Sequence, residues 1–272
     1  MVSVRWTGAA GLEFTHEGKT WLIDPYLSRI GKMTLFFGHP QPDREKISRY
    51  LDTLPGKLQA VVVGHTHLDH VLDVPEIVGR VPVPLVGSGS LETLMAAHGM
   101  PGRVTVCKER TRIDLPGGAA VTMIPSLHGL VLFGRAPYAG EIEPGQQPPL
   151  KASAYRHGPV FNIRLEIGGT SFLHVGSANL IDDGLEGQTC DVLFMCMPGW
   201  KAIENYHGRL LSRTRPKIVV PFHFDDFSAP LSRDFTAPPV PWLSKNRFLK
   251  RIAEEAPDAR IVHPALFEPM VF

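Results

Sequence analysis

The run Ala60-Val61-Val62-Val63 passes through Gly64 straight into His65-Thr66-His67-Leu68-Asp69-His70. Four consecutive apolar residues, three of them β-branched, mark a strand buried on both faces, because a strand with one wet face alternates instead. A strand of that kind needs a covering layer on each side, which argues for a layered α/β fold. Three imidazoles and a carboxylate then leave its end, where such folds place ligands and catalytic groups.

The rest of the pattern agrees. Val2-Ser3-Val4-Arg5-Trp6 and Leu12-Glu13-Phe14-Thr15 alternate around the glycines at 8 and 11. A turn at Glu17-Gly18 leads into Thr20-Trp21-Leu22-Ile23-Asp24-Pro25. Residues 27–42 read as a Gly/Pro-bounded loop whose tip, Leu35-Phe36-Phe37, is placed to cover a pocket. Asp43 is the N-cap of a helix through Ile47, Tyr50 and Leu51, and Pro75 opens another from Val74. A strand over 83–86 and a helix from Ser90 to His98 follow. Further strands are expected near 103–107, 111–114, 119–124, 160–165, 171–175, 191–195, 218–222 and 260–262, with a helix over 244–256. No internal repeat is evident. We expect one domain over 1–272, with Gly/Pro-rich inserts near 129–158 and 225–242.

Three strands end at a histidine: His65, His128 and His223. Imidazole and carboxylate are the usual ligands for zinc and related divalent ions. In a turn leaving a strand, His65 and His67 can face one point while Asp69 and His70 reach a second. That arrangement suits two metals roughly 3.5–4 Å apart. The alternative, a solvated polar turn with Asp69 capping a helix, leaves three clustered imidazoles unexplained.

Val63-Gly64-His65-Thr66-His67-Leu68-Asp69-His70 resembles the metal loop of the metallo-β-lactamase superfamily. Trp6-Thr7-Gly8-Ala9-Ala10-Gly11 and Leu22-Ile23-Asp24-Pro25 look like that family's first strands. The resemblance implies a four-layer αβ/βα sandwich. It implies one metal held by His65, His67 and His128 and a second held by Asp69, His70 and His223. Within the superfamily the N-terminal pattern is most similar to L-ascorbate-6-phosphate lactonases and N-acyl phosphatidylethanolamine phospholipases. Zinc is the expected metal, manganese or iron the alternatives, with one or two ions per chain.

The family pattern breaks at one place. A bridging aspartate is expected after the glycine that ends a middle strand, but Phe172-Leu173-His174-Val175-Gly176 is followed by Ser177. Asn179, Asp182 or Asp183 are candidate replacements, and a single-metal site is the alternative. His174 shares a strand face with Gly176 and is a candidate support for the metal centre. In the first insert, Arg135, Tyr138, Tyr155, Arg156 and His157 are candidate substrate contacts, as is His207 beyond it. Asp225 or Asp226 is placed to orient His223.

Charge and composition exclude other classes. With 28 basic against 27 acidic residues the net charge is +1, so nothing steers the chain toward nucleic acid or an anionic membrane. No apolar run approaches the roughly 18 residues of a membrane span, and the first residues lack the apolar core of a signal peptide. Three cysteines, Cys107, Cys190 and Cys196, have neither an even count nor metal-type spacing, which favours a reducing cytoplasm. For a homo-oligomer there is only the general prevalence of symmetric dimers.

The expected function is therefore hydrolysis of an ester-like bond, in a lactone or a phosphodiester, of a small-molecule substrate. Metal-activated hydroxide would attack, and Asp69 would orient it and shuttle a proton. The alternatives are a mononuclear iron enzyme of oxidative chemistry and a non-catalytic metal-binding or sensor protein.

Overall fold

The computed structural model describes residues 1–131, 133–231, 236–241 and 243–272, without the side chain of Phe36. Strands β1 (Ser3–Gly8), β2 (Gly11–His16), β3 (Lys19–Ile23), β4 (Lys57–Val62), β5 (Leu85–Gly87) and β6 (Val104–Val106) come first. Then follow β7 (Thr111–Leu115), β8 (Ala119–Ser126), β9 (Val160–Ile167), β10 (Thr170–Val175), β11 (Val192–Cys196), β12 (Ile218–Phe222), β13 (Arg260–Ile261) and β14 (Pro269–Val271). Two seven-stranded sheets result, ordered β14-β1-β2-β3-β4-β5-β6 and β13-β12-β11-β10-β9-β8-β7.

The sheets have the same internal plan. In the first, the pairs from β14 to β3 are antiparallel and those from β3 to β6 are parallel. In the second, the pairs from β7 to β10 are antiparallel and those from β10 to β13 are parallel. This duplication was not visible as a sequence repeat, because only strand direction and pairing carry it.

Side-chain alternation explains the layers. In β3, Trp21 and Ile23 enter the core between the sheets, while Leu22 enters a second core on the outer face. Val62 likewise points inward, and Val61 and Val63 point outward. Phe14 meets Phe172 and Phe194 edge-on across the sheets, with ring centroids 5.1 and 6.0 Å apart. Helices α2 (Arg44–Asp52), α4 (Val74–Arg80) and α5 (Gly89–Ala97) cover the outer face of the first sheet through Ile47, Ile77 and Leu94. Over the second, α7 (Tyr206–Thr214) and α8 (Lys245–Glu255) bury Leu210, Leu211, Phe248 and Ile252. Each such side chain contributes about 1.5–3 kcal/mol on burial. The layers are helix, sheet, sheet, helix, the metallo-β-lactamase sandwich.

The expected caps are in place. Asp43 Oδ1 accepts from Lys46 N at 3.0 Å, and Pro75 sits in the first turn of α4. The segment 27–42 is not wholly a loop: it contains α1 (Lys32–Phe37), bounded by Gly31 and Gly38 and too short for its period to show. Phe37 and Met33 on it are largely exposed. Two further short helices, α3 (Leu68–Val71) and α6 (Asp182–Leu185), follow β4 and β10. The nine residues of α7 were not expected, although their buried positions keep a helical spacing. Strand β14 escaped because its partner β1 lies at the other end of the chain. Of the second insert, residues 232–235 and 242 lie outside the described residues. Among the described residues no helix is long and apolar enough to cross a membrane.

Candidate metal centre

Strands β3 and β4 run parallel in one sheet, and β8, β10 and β12 share a direction in the other. Their C-terminal ends deliver Asp24, His65, His128, Ser177 and His223. The metal loop reaches the second sheet directly, since Phe161 N donates to the Gly64 carbonyl at 2.8 Å. Two groups of ligand atoms form, His65/His67/His128 and Asp69/His70/His223, each with its atoms within 4.8 Å of one another. His65 joins them, its ring centroid 3.7 Å from that of His70.

Hydrogen bonds to the far side of each ring select the free nitrogen. His70 Nδ1 donates to Asp24 Oδ2 at 2.8 Å, which leaves Nε2 toward the group. His67 Nε2 donates to the Pro137 carbonyl at 2.9 Å, which leaves Nδ1. His128 Nδ1 donates to the Gly129 carbonyl at 2.7 Å, which leaves Nε2. His65 Nε2 and His223 Nδ1 are buried and have no hydrogen-bond partner among the described residues. An orphaned buried imidazole nitrogen is costly in an apolar interior, and a cation would satisfy His65 Nε2, whereas His223 turns its other nitrogen, Nε2, toward Asp69.

Protonation divides the groups. Burial lowers His65 well below the ordinary histidine value, and it lowers His67 to about 4 and His128 to about 2. All three are neutral at pH 7, the form that binds metal. For His70 burial alone would lower the pKa, but Asp24 and Asp69 outweigh it and the value is raised. Burial alone would raise Asp69, yet His70 and the hydrogen bond with His223 hold it well below the usual carboxylate range. His223 Nε2 lies 3.4 Å from Asp69 Oδ2. His70 therefore sits between two carboxylates, Asp24 at Nδ1 and Asp69 on the Nε2 side.

Two buried carboxylates were not singled out from sequence, one behind the centre and one holding the loop after β3. Asp24 is fully buried; its Oδ1 accepts from Gly64 N at 2.7 Å while Oδ2 holds His70. Gly64 and Gly176 make room for it, since a Cβ at either would come to 3.2 Å from Asp24 Oδ2. Asp73 accepts from Leu27 N at 2.5 Å, from Ser28 N at 2.9 Å and from the Ser28 hydroxyl, and burial raises its pKa to about 6. The available signal was a carboxylate inside the apolar run Val71-Leu72-Asp73-Val74, which cannot be buried without partners.

The candidate replacements for the bridging aspartate are engaged elsewhere. Ser177 Oγ accepts from Gly129 N at 2.9 Å, next to His128. Asn179 Nδ2 donates to the His128 carbonyl at 3.0 Å, and its Oδ1 accepts from Leu180 N. Asp182 pairs with Arg209 and Arg213 at 2.6 and 2.8 Å, and Asp183 is exposed. His174 is buried behind Asp24, its Nε2 donating to the Ala10 carbonyl at 2.8 Å and lying 3.8 Å from Asp24 Oδ2.

The first insert packs on the metal loop. Thr66 N donates to the His157 carbonyl at 2.9 Å, and Thr66 Oγ1 donates to that of Arg156. His157 stacks on His128 with centroids 5.6 Å apart and meets His67 edge-on at 5.6 Å. Its Nδ1 donates to the Gly158 carbonyl at 2.6 Å. Tyr138 and Arg135 are exposed, Arg156 pairs with Glu143 at 2.9 Å, and Tyr155 is buried in the outer core. His207 lies apart, buried between Trp200 and Phe248 with ring centroids at 4.9 and 4.4 Å.

The model of the beta-lactamase superfamily domain matches residues 19–224. Over 237 residues the chain is 29% identical to the UPF0173 metal-dependent hydrolase of Anaeromyxobacter sp. (strain K), covering 83% of this chain and 76% of that protein. Among solved structures it resembles Igni18, a metallo hydrolase of Ignicoccus hospitalis, with a TM-score of 0.65 and 18% identity over 100% of this chain and 98% of that one. It also resembles CmlA, a diiron β-hydroxylase of Streptomyces venezuelae, with a TM-score of 0.59 and 15% identity over 100% of this chain and 54% of that one. The two structural likenesses bear on the fold.

Proposed function

This chain belongs to the beta-lactamase superfamily, and from that membership we propose that it is a metal-dependent hydrolase of an ester-like bond, in a lactone or a phosphodiester. The observation that carries the reading is the pair of ligand groups, in which hydrogen bonds to the far nitrogens of His67, His70 and His128 leave the facing ones for a cation and His65 Nε2 is buried without a partner among the described residues. His65 Nε2, His67 Nδ1 and His128 Nε2 hold one divalent ion; Asp69, His70 Nε2 and His223 hold a second. Zinc suits this donor set, with manganese or iron as alternatives. When bound, such an ion acidifies water and polarises the attacked oxygen.

The chain's own residues do the rest. Asp69, ionised and facing His223, is in reach to orient the attacking water and to carry its proton at Oδ2 toward the leaving group. His157 presents a hydrogen-bonding edge beside His67 and His128, and Tyr138 stands at the exposed rim. Arg135, and Arg156 where it can leave Glu143, are the arginines on this insert for an anionic substrate group. Asp24 and His174 keep His70 in place from behind. Ser177 brings no charge where the family pattern has a carboxylate, so the second ion binds more weakly than the first. That one feature favours a second reading, a metal-holding protein without hydrolytic turnover.

Metals per chain, counted by elemental analysis on protein purified without chelator, test the proposal alongside a panel of lactones and phosphodiesters. One or two equivalents, lost in His67→Ala together with turnover, are expected. Metal bound equally by wild type and variant, or metal without turnover of any ester, would overturn it.

A further inference from the structure

His223 is a non-glycine residue with φ at +60°, at the end of β12. A left-handed backbone of that kind persists only where its surroundings hold it. Two residues on, Asp225 is buried and accepts from Ala9 N at 3.0 and 3.2 Å through its two oxygens. It also pairs with Arg29 Nη2 at 2.6 Å, both side chains being 1% exposed. Ala9 and Arg29 are themselves left-handed, with φ at +47° and +58°. Arg29 Nη1 donates onward to the Asp226 carbonyl at 3.3 Å. Gly8 completes the arrangement, because a Cβ there would run into Arg29 Nη2. One buried ion pair thus ties together the β1–β2 turn, the loop after β3 and the loop that carries His223.

We propose that Arg29 and Asp225 form a latch that positions His223 for the second ligand group. The inference rests on the metal-binding reading above and extends it to residues that touch no ligand atom. Without the latch, the loop after β12 relaxes toward an ordinary right-handed or extended backbone, and the His223 ring leaves Asp69. In the three-histidine group the His67 and His128 rings are held by the Pro137 and Gly129 carbonyls, which the latch does not touch. The effect is therefore confined to one of the two groups.

The test is a titration of metal-free protein with Co²⁺, followed by visible spectroscopy and by competition with a chelator. The proteins are wild type, His223→Ala, Arg29→Lys and the double variant Arg29→Met/Asp225→Leu. The double variant removes both charges together, so no unpaired buried charge threatens folding, and circular dichroism confirms the fold. The expected result is two ions on wild type, the weaker one lost in His223→Ala. That ion should be weakened about 10- to 100-fold in the double variant, with partial rescue by lysine and the tighter ion changed less than about threefold. A folded double variant that binds both ions as wild type does would overturn the latch. So would equal weakening of both ions, or a wild type whose single ion is insensitive to His223→Ala. A wild type that binds no ion would instead sink the metal-binding reading itself.

Discussion

His65, His67 and His128 form a group without a carboxylate, whereas Asp69, His70 and His223 gather around one. Burial keeps the first three rings neutral, so they stand ready as ligands and no proton competes for them at pH 7. In the second group, by contrast, Asp24 and Asp69 outweigh burial and raise the His70 pKa, so protons compete more strongly there with an incoming cation. Ser177, where the family pattern has a bridging carboxylate, brings no charge to either group and bonds Gly129 N beside His128. Donor number is the same in the two groups, yet their competition with protons differs, and affinity should follow the competition.

The sharpest way to break that contrast is to remove a ring shared by both. His65→Ala takes away the imidazole that touches His70, and we expect the tighter ion to weaken more than about 100-fold by chelator competition, beyond the range for supporting residues. A tight ion surviving that change would show that the three-histidine group is not the primary site. Asp24→Asn removes the carboxylate behind His70 and should weaken only the second ion, by about 10- to 100-fold. Equal effects on both ions would make Asp24 a general structural residue.

Ser177→Asp should narrow the difference between the groups. A carboxylate at this position would add a negative charge toward a dication, offset by its own desolvation and by loss of the Ser177–Gly129 hydrogen bond. After desolvation we expect a gain of roughly 10-fold in second-ion affinity by calorimetric titration. A loss of affinity would mean that the Ser177–Gly129 hydrogen bond matters more than the missing charge.

The smallest effect concerns the metal-free protein. His65, His67 and His128 have folded pKa values below the unfolded one of about 6.5. Below that pH the unfolded chain binds more protons, and stability falls with acidification down to about 4 for His67 and about 2 for His128. His70, raised, acts only above this window. Asp73, raised to about 6, offsets one of the three. A Tm lower by several degrees at pH 5 than at pH 7 is expected by calorimetry, at about 2–4 °C per kcal/mol. His207, lowered to about 4, and His174, also lowered, act in the same direction, so an unchanged Tm would mean that these buried rings as a set are solvated in the metal-free fold.

Much of the centre was legible in the sequence, and the unread part has a common character. His65 to His70 stood out because the residues are consecutive and follow a strand readable from its own apolar run. His128 and His223 were legible as strand-end histidines. His157 and His207 carried equal weight in sequence, but one stacks on His128 and the other fills a core slot between Trp200 and Phe248. Nothing local separates them, since a histidine on an amphipathic helix and one on a loop look alike until the neighbours are known. Helix α1 was missed for its six-residue length, and Asp24 because its partner is 46 positions away.

By itself, then, the sequence determined the layered class, the burial of the central strand before the metal loop on both faces, and the residue types that gather at the strand ends. Apolar runs and ligand chemistry are local properties, so they survive without a fold. Only the tertiary structure decided which nitrogen of each ring is free, which carboxylates stand behind the rings, and that Ala9 and Asp225, 216 positions apart, share a hydrogen bond. Those choices depend on the far side of each side chain, which two packed sheets and not neighbours in the chain supply.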